Sequence, residues 1–254
     1  MLGQLGGPRL FADAAKSRLA PLGCRRVGRS GLWIADQQFW AIVITFQRSR
    51  FGGELYHLDV GVTWHWHAKE FWSRDYSIHR RESASYWDDR KFAPLARELA
   101  SSAADQVIRL RNELKSIQEI ARLITQLVAA VRSPVDPAVA STDSAVVQPQ
   151  SGHVRIMEIV RPDAQRETVA SWPEYHAAVA TGLARDIDRS ARFFEQIIAG
   201  PAATDWQVEL RSECARLLRL LPDMGQFREA IRAIVEESRV RHKLPPDPGC
   251  LDDL

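Results

Sequence analysis

This sequence predicts an α+β fold: an antiparallel sheet of three to four strands packed by helices, with an α-helical C-terminal part. Three observations carry that prediction. Residues 56–66 alternate without a break, with Tyr56, Leu58, Val60, Val62, Trp64 and Trp66 on one side of an extended strand and His57, Asp59, Gly61, Thr63 and His65 on the other. A period of two marks a half-buried strand. From Pro94 the apolar period becomes helical, and helical patterns dominate the C-terminal part.

Taken in order, Phe11, Ala15, Leu19 and Leu22 recur at helical spacing, and Pro21 with Gly23 ends that opening helix. Residues 25–36 form a first strand, weakened early by Gly28 and Gly31. Residues 38–48 form a second, apolar on both faces (Trp40, Ile42, Ile44 and Phe46 against Phe39, Ala41 and Val43), which places it centrally under cover on each side. Gly52 and Gly53 then supply the hairpin loop into the 55–67 strand. Residues 76–81 offer a fourth strand.

Val107, Leu110, Leu114, Ile117, Ala121, Ile124, Val128 and Val131 repeat in steps of three and four, a heptad seam. One helix over 94–131 would be about 55 Å long, so an interruption is expected. Ser116 and Glu119 have capping-box spacing, and a new helix is placed there. Three more helices are predicted near 173–199, 205–221 and 226–242, the first beginning at a second capping box, Ser171 to Glu174. The Pro-rich, small-residue stretch cannot bury enough surface to order itself. The chain therefore divides into an α+β domain at 1–133, a linker at 134–151 and a helical region at 152–254, with a short β-prone run at 154–160 and a frayed Pro-rich tail.

The chain has 254 residues and a net charge of +2. Residues 1–100 hold 15 Lys+Arg against 10 Asp+Glu, and both signs interleave without a basic stripe, which argues against a nucleic-acid partner. No apolar run reaches the roughly 18 to 20 residues of a membrane span, and no signal core opens the sequence, so a cytoplasmic protein is expected. Cys24, Cys214 and Cys250 are scattered and odd in number, as expected of inert thiols.

Leu22-Gly23-Cys24-Arg25-Arg26-Val27-Gly28, then Ile42-Val43-Ile44-Thr45-Phe46-Gln47-Arg48-Ser49, then Leu58-Asp59-Val60-Gly61-Val62, form successive motifs, with Ser85-Tyr86-Trp87 as a Trp-containing loop. Over roughly residues 8–131 they resemble an uncharacterised bacterial family, the domain of unknown function numbered four-three-zero-four. That resemblance implies an α+β fold and, by analogy with members near toxin systems, an immunity-type binding role. It implies no activity.

Candidate site residues lie at strand ends. His65 and His67, two apart, share one face of the strand, and two imidazoles so spaced can chelate zinc if a third ligand joins them. His57, about 26 Å away along an extended strand, cannot. The competing expectation is a hydrated polar face. Gln47, Arg48, Ser49 and Arg50 border the glycine loop, and Arg80 and Arg81 end the fourth strand; arginines there can fork onto an acidic partner or merely discourage edge pairing. Gln47 and Ser49 face one way, Arg48 and Arg50 the other.

Adjacent carboxylates Asp88-Asp89 do not converge on one substrate atom and read as exposed charge. No Gly-rich phosphate loop, nucleophile elbow or HExxH occurs, so no catalytic residue, metal or cofactor is assigned. The expected function is a non-enzymatic protein-binding module, with two alternatives: an enzyme of small-molecule or metal chemistry using the His65/His67 face, and a protein that self-associates through the 107–131 seam.

Overall fold

The computed structural model describes residues 6–48, 55–77, 82–86, 88–132 and 163–246. They fall into two compact units: Met1–Lys115 with Ile231–Leu254, and Ser116–Ala230. The expected division at 133 differs from this one at both ends, because the chain from Ile231 rejoins the first unit and residues 117–132 belong to the second. The linker at 134–151 and the run at 154–160 lie outside the described residues, as do Cys250 and Trp87.

In the first unit, Gly7–Leu19 forms α1, with Pro8 in its first turn, where a missing N–H costs nothing. A 3-10 turn, Ala20–Leu22, ends at Gly23 in the left-handed region at φ 73°. The expected first strand is a hairpin: Arg25–Arg26 (β1) and Leu32–Asp36 (β2) flank a turn that contains Gly28 at φ 59°. Within that turn the Ser30 hydroxyl donates to the Val27 carbonyl at 2.7 Å.

Trp40–Arg48 (β3) pairs with β2 on one edge and, over nine residues from Trp40↔Trp64 to Arg48↔Tyr56, with Leu55–Trp64 (β4) on the other. The central position predicted from its two apolar faces is correct. The far edge of β4 carries two short strands, Tyr76–Ser77 (β5) and Glu82–Ser85 (β6), so the antiparallel sheet has six strands where three to four were expected. Of the expected 76–81 strand, residues 78–81 lie outside the described residues. In β6 a single apolar side chain, Ala84, is buried, which leaves no alternating pattern to read. A Cβ at Gly61 would meet the Tyr76 carbonyl oxygen at 2.6 Å, so β5 closes on β4 because that position has no side chain.

Asp89–Glu113 forms α2. It starts five residues before the expected Pro94, because Asp88 caps it: its Oδ1 accepts the Lys91 amide at 2.8 Å. One face of the sheet packs under α1 and α2, where Phe11 meets Phe46, Tyr56 and Phe92 at ring separations of 5.2, 4.9 and 5.0 Å. On the opposite face Ile34, Ala41 and Val43 make a second, smaller core with Val27, Leu32 and Trp72.

The expected break near Ser116 is present. Ile117–Arg132 forms α3, and the Ser116 hydroxyl accepts the Glu119 amide at 3.3 Å. Seam residues Val107 to Val128 are buried within the chain, and of the eight Val131 alone is exposed.

In the second unit the single helix expected at 173–199 is two, Asp163–Leu183 (α4) and Ile187–Ala199 (α5). Ser171 and Pro173 lie inside α4, so the second capping box does not start a helix there. The chain turns at Arg185, held left-handed at φ 67°, and Asp186 caps α5 through the Arg189 amide at 3.2 Å. Asp205–Leu220 (α6) starts at a Thr204/Gln207 capping box. Met224–Arg241 (α7) follows and from Ile231 belongs to the first unit. No described helix is long and apolar enough to cross a membrane.

Candidate functional site

Pairing of β4 ends at Trp64, and the chain turns through residues 65–67. Trp66 folds back to stack on Trp64, with ring centroids 5.0 Å apart and planes 3° from parallel. The period of two that places His65 and His67 on one face therefore stops before it reaches them. His67 is half-buried, whereas His65 is 0% exposed, which overturns the expectation that its imidazole meets water.

His65 lies on the second face of the sheet, held by groups remote in sequence. Its amide donates to the Phe39 carbonyl at 3.0 Å, and its Nδ1 lies 3.2 Å from the Ser238 hydroxyl on α7. The ring meets Trp72 edge-on at 6.1 Å and His242 at 6.0 Å, and His242 in turn stacks on Trp72 at 3.9 Å. Nε2 has no hydrogen-bond partner. Burial, and then the charges of Arg239 and His242, push the imidazole down to about 3 against a weak opposing pull from Asp75. Burial also lowers His242, followed by the positive charges of Lys69, Arg241 and Arg25.

Residues 66–75 are pinned across this face. Lys69 pairs with Asp75 and donates to the Ser73 hydroxyl at 2.9 Å, Ser73 bonds Thr63 at 3.0 Å, and Asp75 accepts the Trp64 amide at 3.0 Å. A lysine beside a serine suggests an activated nucleophile, but an ammonium engaged with a carboxylate has no free lone pair to take the serine proton. The arrangement fastens a loop.

The end of α7 is fastened by Arg239, which is 3% exposed. Its guanidinium forks onto Asp36 at 3.0 and 2.8 Å, bonds the Pro245 carbonyl at 3.0 and 2.8 Å, and also reaches the Gln38 carbonyl.

The other expected site residues do not join this cluster. Gln47 is exposed and pairs in register with His57 on the second face, while Arg48 is exposed opposite Tyr56 on the helix side, as the strand period predicts. Ser49, Arg50, Arg80 and Arg81 lie outside the described residues. No three His, Cys, Asp or Glu side chains among the described residues are placed to hold a metal. Both described cysteines are buried; burial raises the Cys24 thiol and, with Glu213 and Glu174, pushes Cys214 up to about 12, as suits inert thiols.

The sequence offers Trp72, with Tyr56, Trp64 and Trp66, as aromatic area for a pocket or for the core; it does not single out Ser238, Arg239 and His242. One signal was available for those three: the apolar stripe Phe227, Ile231, Val235 continues at helical spacing onto Ser238, Arg239 and His242, which places polar groups on a buried face.

Two large apolar side chains stand exposed on the elements that carry this cluster, Phe71 at 67% and Val240 at 76%. Each adjoins a member of the Trp72–His242 junction in sequence or within one helical turn, and Arg241 reaches Glu70 at 3.8 Å across it. Comparison with protein-family models, curated proteins and solved structures finds no match for this chain.

Proposed function

We propose that this chain is a protein-binding module whose contact surface is the outer side of the Trp72–His242 junction. The exposure of Phe71 and Val240 beside a fastened aromatic stack carries this reading. Anchored aromatic and aliphatic groups with arginine at their margin are what protein interfaces use, because little side-chain entropy is lost when they are covered. Arg25, Arg241 and Lys243 give the surroundings a positive character suited to an acidic partner. An immunity-type role, in which the module covers a toxin surface, is the form of binding that the family resemblance favours.

The enzyme alternative is weaker on physical grounds. An imidazole held at about 3 stays neutral near pH 7 but is a poor proton acceptor, and His65 is enclosed. Pull-down with the products of neighbouring genes tests the proposal. The Phe71→Glu/Val240→Glu double variant should lose the partner, with a circular dichroism spectrum like that of the parent. Retention by this variant and loss on Arg48→Glu/Arg50→Glu would move the interface to the β3–β4 loop.

A further inference from the structure

His65 is enclosed from every side, and the charges around it are lopsided. From α7 it faces Ser238, Arg239 and His242; from residues 66–75 it faces Trp72 and Asp75, and Lys69 pairs with Asp75 and acts on His242. Arg25 of β1 lies 3.5 Å from the His242 and Lys243 carbonyls, Arg241 stands at the rim with Glu70, and Asp36 of β2 is already engaged by Arg239. His67 follows two residues along the chain. Protonated, His65 carries an N–H on both ring nitrogens, and Nε2 has no acceptor, while Arg239 and His242 oppose the added charge. Of the nearby carboxylates, Asp36 and Asp75 are tied to Arg239 and Lys69.

Relief by hydration requires something to move. β3 and β4 share nine paired residues, whereas the last turns of α7 are held to the sheet by side chains: the His65–Ser238 bond, the Arg239 fork and the Trp72–His242 stack. Two of those three fastenings include a histidine.

We propose that His65 is the sensor of a pH-operated latch, whose protonation releases residues 238–244 from the second face of the sheet and uncovers Trp72. The device does not depend on the binding reading, and its test needs no partner. With the imidazole near 3 when covered and 6.5 when free, linkage predicts that the released population rises about 30-fold between pH 7.5 and pH 5.

Hydrogen exchange of the full chain at those two pH values, corrected for intrinsic rates, measures this directly. Amides of residues 238–244 should lose about 30-fold in protection and stay less protected at both pH values than those of residues 41–45 and 58–62, which need global unfolding to exchange. His65→Asn retains a polar group toward Ser238 and cannot take the proton, so its fall should shrink to the part that His242 supplies. Should that variant fail to fold, the half-buried His242→Gln stands in: it should keep most of the fall, because the sensor remains. Equal protection of strands and α7 at both pH values, no loss at residues 238–244, a full fall in folded His65→Asn, or a vanished fall in His242→Gln would each overturn the proposal.

Discussion

Arg239 makes five hydrogen bonds from one nearly buried guanidinium. Breaking such a pair costs more than the pair contributes, because the partner is left short of a counter-charge. Arg239→Met should therefore lower stability by about 2 to 4 kcal/mol in urea unfolding, and adding Asp36→Leu should recover part of the loss. Asp36 is partly exposed, which keeps the figure near the lower end. His65 gives a second residue-scale prediction. Its folded state resists a proton that the unfolded chain accepts below about 6.5. The stability it contributes is therefore fully present above 6.5 and is lost as pH falls toward 3, by at most about 1.4 kcal/mol per pH unit. Urea unfolding at pH 7.5, 6 and 5 should show a steeper slope in the parent than in His65→Asn, which keeps the contribution of His242, flattening once the latch is open. At this scale the sequence extended the strand through His65, although β4 ends at Trp64. It did not show that the imidazole is covered, because Ser238, one of the covering groups, comes from 173 residues away.

Helix boundaries show what local chemistry can and cannot mark. The Ser116/Glu119 box ends one helix and begins the next where its spacing said it would, because capping is satisfied within four residues. The same pattern at Ser171 lies within α4: a serine three residues before a glutamate permits a start and does not compel one. Asp88, read as idle charge, is the cap of α2, so Asp88→Ala should cost about 1 kcal/mol, measured as a lowered urea midpoint. The turn between α4 and α5 relies on Arg185 in a conformation that L residues enter at a cost of roughly 1 kcal/mol. Arg185→Gly should stabilise the chain by up to that amount, read as a higher melting temperature. Nothing in the local composition announces that turn. The strands divide similarly, since β3 and β4 carry long alternating patterns that β5 and β6, at two and four residues, are too short to show.

Over the whole molecule, the chain does not divide where its composition changes. The first unit is completed by residues from Ile231 onward, whose Ser238, Arg239 and His242 meet His65, Asp36 and Trp72. A chain ending at Ala230 should therefore expose Trp72 and His65 and leave Asp36 without its arginine. Bound dye fluorescence and a red-shifted tryptophan emission relative to the full chain would register this, and a truncated chain with the parent's spectrum would refute it. The sequence by itself determined the α+β class, the central position of β3, the β4 stripe and the Ser116 break. All of these follow from periodicity and caps, which are satisfied by neighbours a few residues away. Only the tertiary structure decided which groups enclose His65, where Arg239 finds its carboxylate and how the units divide. Those contacts join segments with no shared pattern, and their free energy exists only once both segments are folded.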